Sequence, residues 1–160
     1  MDVVPAQRRV ADHIEAHGLM APGAQVAVLV SGGPASSCLR HVLGALGYDI
    51  SAIHVNHKLR GADADIDAEH CARELGATVL ECPVDNPTEA RLRDARYEAS
   101  AAAVGALLRA TGHTASDQVE TVLQRLVSSG TTRGIPVHRS DSVVRPILCL
   151  WREETVSYCK

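Results

Sequence analysis

Residues 26–39 read VAVLVSGGPASSCL. A short run of Val, Ala and Leu stops at Ser31-Gly32-Gly33, and small polar residues then lead into an apolar pattern of helical period. That order predicts a buried parallel strand turning into a helix. Such a turn suits phosphate. Glycine admits left-handed backbone and close approach of a ligand, and the hydroxyls of Ser31, Ser36 and Ser37 can donate to oxyanions. The first turn of the following helix adds unpaired N–H groups at the positive end of its dipole. The Walker pattern needs Gly-Lys-Ser/Thr and the dinucleotide fingerprint needs G-x-G-x-x-G; neither can be written over these residues. For the loop alone, a Gly/Ser turn that binds nothing stays open as the alternative.

With 160 residues, 46% of them hydrophobic and 22% charged, the chain suits one globular domain over 1–160. Residues 1–22 form an N-terminal helical segment of it, and such a domain buries roughly 70% of its unfolded surface. The formal charge of -3 gives no overall attraction to nucleic acid, so any RNA contact must come from a local patch. No apolar run approaches the roughly 20 residues needed to span a bilayer, and no signal-peptide pattern opens the chain. The expectation is a cytoplasmic protein with no membrane partner. The five cysteines, Cys38, Cys71, Cys82, Cys149 and Cys159, include no C-x-x-C pair, which argues for reduced thiols over disulfides, zinc or an iron–sulfur cluster. Phe is absent, so the core must be built from Ala, Val, Leu and Ile, and no aromatic platform for several bases is visible.

Along the chain, a helix over 5–17 carries Val10 and Ile14 on one face and closes at Gly18. Strands are expected over 25–30, 50–55, 78–82 and 106–111 (weakened by Arg109). Helices are expected over 36–46, 63–75 and 88–104. A further helix carries Val119, Val122, Leu123, Leu126 and Val127 on its buried face and closes at Gly130. This alternation predicts an α/β fold, a parallel sheet with helices on both faces, with ligand at the carboxyl ends of the strands. His54 and His57 are spaced as a helical metal pair but fall at a strand end, which favours other roles. Arg91, Arg93 and Arg96 cluster ahead of Tyr97, either as a solvated face beside Glu89, Asp94 and Glu98 or as anion contacts. Asp117 and Glu120 share one face at a helix start, where capping alone accounts for acidic residues.

Four motifs bear on these alternatives. Ser31, Gly32, Gly33 and Ser36 match S-G-G-x-D-S, the PP-loop of the ATP pyrophosphatases, with Ala35 where that family has Asp. His54-Val55-Asn56-His57-Lys58-Leu59-Arg60-Gly61 fits H-V-N-H-x-L-R-G, and Arg93, Arg96 and Tyr97 fit A-R-x-x-R-Y with Leu92 in place of its first Ala. His113, Asp117, Gln118, Glu120 and Thr121 fit H-H-x-D-D-Q-x-E-T, with departures at Thr114 and Ser116. Residues 143–148 resemble an I-R-P-L-L strand, and 151–160 begin a helix that resembles R-E-E-I-x-x-Y-C. In this order the motifs resemble the N-terminal PP-loop domain of the tRNA(Ile)-lysidine synthetases.

The resemblance implies a PP-loop ATP pyrophosphatase fold, adenine nucleotide alpha hydrolase-like and Rossmann-like, using ATP and Mg2+. The implied reaction adenylates the C2 oxygen of the wobble cytidine of tRNA(Ile), releasing pyrophosphate; the side-chain amine of free lysine then displaces AMP. By motif position, Ser31, Gly32, Gly33, Ser36 and Ser37 face the pyrophosphate, and His54, Val55, Asn56 and His113 the adenosine. Arg93 and Arg96 contact phosphate or RNA, Asp117 serves metal or lysine, Glu120 holds the lysine ammonium, and Arg145 lies at the cleft edge. The family's tRNA-gripping domains lie beyond the matched stretch, so the chain is expected to bind tRNA weakly. Ala35 and Ser116 each remove a carboxylate, which opens two alternatives: a non-catalytic adenine-nucleotide-binding paralogue or partner subunit, and an amide- or amidine-forming ligase acting on a small metabolite.

Overall fold

The computed structural model describes residues 3–59 and 61–160; Arg60 of the H-V-N-H-x-L-R-G motif lies outside them. At the centre, β1 (Gln25–Leu29) pairs in parallel with β2 (Asp49–Asn56) on one side and β4 (Leu108–Thr111) on the other. β3 (Ala77–Glu81) extends the sheet beyond β2, and β6 (Val143–Val144) runs parallel to β4. A short β5 (His138–Arg139), unforeseen from the sequence, closes the far edge antiparallel to β6, giving the order β3-β2-β1-β4-β6-β5. The chain steps outward from β1 to β3 and then returns to the opposite side of β1. The carboxyl end of β1 is therefore the point where strand order reverses, the usual ligand crevice of an open α/β sheet.

The helices are α1 (Val3–Ala16), α2 (Pro34–Ala45), α3 (Ala62–Leu75), α4 (Glu89–Val104), α5 (Ala115–Ser129) and α6 (Arg152–Tyr158). β1 alternates between two cores. Val26 and Val28 join Val10 and Ile14 of α1, Leu39, Val42 and Leu43 of α2, and Tyr158 of α6. Ala27 and Leu29 join Ile53 and Tyr97 of α4 on the other face. Both faces are thus covered, as the alternation predicts. No helix among the described residues is long and apolar enough to cross a membrane.

Four local expectations are corrected. α2 begins at Pro34, two residues earlier than expected, because proline suits a first helical position where its missing N–H costs nothing. Arg109 does not weaken β4 but is buried within it: its guanidinium donates to the Tyr97 carbonyl at 2.6 Å, to Ser100 Oγ at 3.1 Å and to the Asp141 carbonyl, tying α4 and the 139–142 turn to the sheet. The expected strand over 143–148 ends at Val144, since Leu148 N turns back to the Arg145 carbonyl at 3.2 Å. The apolar stripe of α5 is not a buried face. Val119, Leu123 and Leu126 are exposed, Val127 is 89% exposed, and α5 has no buried residue. Polar ties hold this helix instead: Ala115 N donates to the Leu150 carbonyl at 2.7 Å, and Arg125 to the carbonyls of Arg133 and Gly134 at 2.8 and 3.0 Å.

Candidate functional site

The loop after β1 is closed by its own serines. Ser31 N donates to Ser36 Oγ at 3.1 Å, Ser36 Oγ donates to the Gly33 carbonyl at 3.0 Å, and Ser37 N donates to the same carbonyl at 3.1 Å. Ser36 is buried and staples the loop shut, so Ser31 is the more accessible hydroxyl. Gly32 has φ +79°, and a methyl group there would meet His70 Cδ2 at 3.3 Å and Cys71 Sγ at 3.4 Å; its back lies on α3. On the other side, Gly112 packs against the Ala35–Ser36 peptide. Two layers of backbone thereby set the loop's shape.

Beside it opens a cavity of about 560 Å³, within the range of small-molecule sites. Ser31, Gly33, Ala35 and Ser36 line it from the loop, and His54, Val55 and Asn56 from the end of β2. Arg96, His113 and Asp117 close the opposite side. Most of the sequence-derived site residues therefore meet in one place, although they come from four separate segments. Gly32, Ser37, Arg93, Glu120 and Arg145 do not line the cavity. Arg93 is exposed and faces Asp94 at 3.8 Å. Arg145, expected at the cleft edge, is buried and donates to the Pro136 carbonyl.

His54 Nδ1 lies 2.9 Å from the Val30 carbonyl. A carbonyl only accepts, so Nδ1 carries a proton and the ring's orientation is fixed by the end of β1. His57 Nδ1 is tied in the same way to the Cys82 carbonyl at 3.0 Å. Asn56 is structural: its Nδ2 donates to the Ala64 carbonyl and to Asp65 Oδ1, and its Oδ1 accepts from Lys58 N at 2.8 Å. It shapes the wall by pinning the start of α3. His113 Nδ1 lies 2.9 Å from Thr111 Oγ1. Burial, helped by the nearby charge of Arg145, pushes this imidazole down to about 4, so it is neutral at physiological pH.

Asp117 has both carboxylate oxygens engaged. Oδ2 accepts from Thr114 N at 2.7 Å and Thr114 Oγ1 at 2.8 Å, a capping box on α5, and Oδ1 accepts from Arg152 Nη2 at 2.9 Å. Burial would raise this carboxyl, but the bonds from Thr114 and Arg152 outweigh it and hold it below the usual range. The same Arg152 Nη2 lies 2.9 Å from Glu120 Oε1. Among the described residues no group of three His, Cys, Asp or Glu could hold a metal ion. Ala35 carries no carboxylate and both Asp117 oxygens accept hydrogen bonds, so a Mg2+ here would take most of its ligands from the nucleotide's phosphates, with Asp117 reachable only when Arg152 swings away.

The sequence reading missed Arg152 and Thr114. The spacing Thr114-x-x-Asp117 is itself a legible capping signal. Arg152 opens the R-E-E-I-x-x-Y-C match, but nothing local shows that it reaches Asp117 from 35 positions away.

A serine- and glycine-closed loop at the switch point of a parallel sheet, with an adjoining cavity of small-molecule size, defines an α/β domain with a ligand crevice at the carboxyl ends of its strands. The chain belongs to the PP-loop domain family, whose model matches residues 4–160. It is similar to the tRNA(Ile)-lysidine synthase of Symbiobacterium thermophilum, 38% identical across 98% of this chain and 38% of the relative. It is also similar to that of Dehalococcoides mccartyi, 32% identical across 95% of this chain and 39% of the relative. The chain thus spans about two fifths of the length of these relatives. Among solved structures it superposes on the U34-tRNA thiolase NcsA from Methanococcus maripaludis with a TM-score of 0.73 at 16% identity, covering 98% of this chain and 62% of that one. On the NH3-dependent NAD synthetase of Campylobacter jejuni the TM-score is 0.57 at 17% identity, covering 99% and 72%. At such identities the likeness bears on the fold alone.

Proposed function

We propose that this chain is the adenylating domain of a cytoplasmic tRNA-modifying ligase that works as the lysidine synthases do, on ATP, tRNA(Ile) and free lysine. One observation carries the proposal: the anion loop, the end of β2 and the Asp117 end of α5 border a single cavity. ATP would lie with its phosphates against Ser31 and Gly33 and its adenosine against His54 and Val55. The C2 oxygen of the wobble cytidine attacks the α-phosphorus and pyrophosphate leaves. The lysine amine then attacks C2, AMP departs, and the amine loses a proton. Loop N–H groups and Arg96 stabilise the growing charge on the leaving group, and fixed placement of both reactants lowers the barrier by orientation. His113 offers a neutral hydrogen-bonding ring beside them. Asp117 and Glu120 receive the lysine side chain as its ammonium, and one of the two carboxylates takes the proton that frees the amine to attack C2.

The test is release of AMP and pyrophosphate from ATP by the chain supplied with tRNA(Ile) at high concentration. Release that requires both lysine and tRNA(Ile) is the expected result, and its absence at saturating ATP overturns the ligase reading. The chain alone is expected to bind tRNA weakly, with affinity falling steeply with salt through contacts such as Arg91 and Arg93. Nanomolar binding insensitive to salt would contradict this.

A second reading, nucleotide binding without turnover, is favoured by the absence of a carboxylate at Ala35 and by the fully engaged Asp117. It predicts calorimetric ATP binding with no AMP formed under any substrate combination.

A further inference from the structure

We infer that Arg152 is the specificity-determining residue of the amine site: its Nη2 occupies the ammonium position between Asp117 and Glu120, and an amine enters by displacing it. This rests on reading the acid pair as the holder of the lysine ammonium.

The contact has an unusual form for arginine. A guanidinium normally meets a carboxylate with two nitrogens in a fork. Here one nitrogen, Nη2, serves two carboxylates, at 2.9 Å from Asp117 Oδ1 and 2.9 Å from Glu120 Oε1. Two oxygens converging on one nitrogen make a site for a point cation with several donors, which describes an ammonium better than a guanidinium. The backbone of Arg152 cannot retreat far, because Arg152 N donates to Ser116 Oγ at 3.1 Å and Ala115 N is bonded to the Leu150 carbonyl at 2.7 Å. The side chain is a different matter. It is 50% exposed, and ion pairs in that setting are weak and readily exchanged, so it can swing into water without losing hydration.

This arrangement selects for charge. Withdrawing Arg152 leaves two carboxylates facing each other, one of them partly buried, and only a ligand that brings a full positive charge and at least two donors restores the balance. A neutral amine or amide of the same length cannot do so. The acid pair alone would attract any cation that fits; the resident guanidinium raises the threshold for all of them and is overcome most readily by a ligand anchored elsewhere in the cavity.

The experiment measures calorimetric binding of n-butylammonium, which has no carboxylate or nucleotide to anchor it, to the full chain at pH 7.5 and fixed ionic strength. Arg152→Gln keeps a shorter polar side chain while removing the charge, and Arg152→Ala clears the site. Both are expected to bind the probe at least tenfold more tightly than the parent, and Glu120→Gln added to either is expected to abolish the gain. A purely structural role for Arg152 predicts the reverse, since loosened carboxylates would bind the probe less well. Unchanged or weaker binding by Arg152→Gln, or no detectable binding by either variant, overturns the inference. Lysine-dependent AMP release is read separately. Release without tightening by Arg152→Gln removes Arg152 from the account and leaves the ligase standing, whereas tightening without release leaves a cation site in a protein that is not this ligase.

Discussion

Gly112 lies so close to Ser36 that a methyl group on its α-carbon would stand 3.1 Å from the Ser36 backbone nitrogen and 3.2 Å from the Ala35 carbonyl carbon. Both neighbours are backbone of the anion loop, which cannot step aside as a flexible side chain would. Gly112→Ala is expected to push the loop out of shape and cost about 1–3 kcal/mol of stability, as overpacking does. ATP affinity should fall at least fivefold by calorimetry. Gly33→Ala is the control: its methyl would meet Ser31 Oγ at an ordinary 3.6 Å, and its φ of -81° suits any residue. Folding should survive that change, and equal damage from both variants would show that the Gly112 contact does not set the loop.

His113 predicts a pH dependence of stability. The unfolded chain protonates this imidazole below its ordinary value of 6.5, whereas the folded chain resists until about 4. Between those values the unfolded state binds more protons, so stability falls as pH falls from 6.5 toward 4 and gains nothing from this group above 6.5. His13, lowered by burial and by His17, contributes with the same sign. The difference between the parent and His113→Gln isolates the first effect. In urea titrations the parent should lose about 1–2 kcal/mol more than the variant between pH 7 and pH 4.5. Parallel curves would place His113 in a wetter setting than the cavity wall.

The exposed stripe of α5 separates amphipathic pattern from burial. Leu123 is 55% exposed, and Leu39 of α2 is fully buried. Leu123→Gln should change stability by less than about 0.5 kcal/mol, while Leu39→Ala should cost about 2–5 kcal/mol. Denaturant midpoints of the two variants decide it. A loss above about 2 kcal/mol for Leu123→Gln would mean that this stripe is covered in solution.

Ala35 and Ser116 stand where the motifs carry acids, yet they face different surroundings. Ala35 lines the cavity, whereas Ser116 Oγ accepts from Arg152 N at 3.1 Å at the start of α6. Ala35→Asp should therefore make ATP affinity depend on Mg2+, tightening about tenfold with the ion where the parent changes little. Ser116→Asp should instead strengthen the α5–α6 junction by a few tenths of a kcal/mol, as a carboxylate beside helix-start N–H groups does. Calorimetry with and without Mg2+ separates them, and a Mg2+ response from Ser116→Asp would contradict the assigned orientation.

The turn after β1, the alternation of strands and helices, and the meeting of His54, Val55, Asn56, His113 and Asp117 around one cavity were legible because each depends on local chemistry. Glycines mark where the backbone must turn or approach closely, apolar runs mark strands buried on both faces, and residues at strand ends converge once the sheet is parallel. Residues whose roles depend on remote partners were read less well. Arg109 read as a blemish in β4, and its acceptors on α4 and at Asp141 could not be foreseen from neighbouring positions. Arg145 was expected at the cleft edge, but the turn after β6 buries it, while Arg93 stands exposed on α4 away from the cavity wall.

The amino-acid order by itself determined that a tight Gly/Ser turn at Ser31–Ser36 would join a buried strand to a helix, because glycine freedom and helix-start geometry are properties of neighbouring residues. Only the tertiary structure decided what surrounds the acid pair. Asp117 and Glu120 lie on one face of α5 in any helix, yet whether that face meets solvent, metal or a cation depends on where the start of α6 is carried by the segment after β6. It brings Arg152 to 2.9 Å from both carboxylates. Periodicity likewise reports that Val119, Leu123, Leu126 and Val127 share a stripe, but burial requires another element against it, and in the described residues none is placed there.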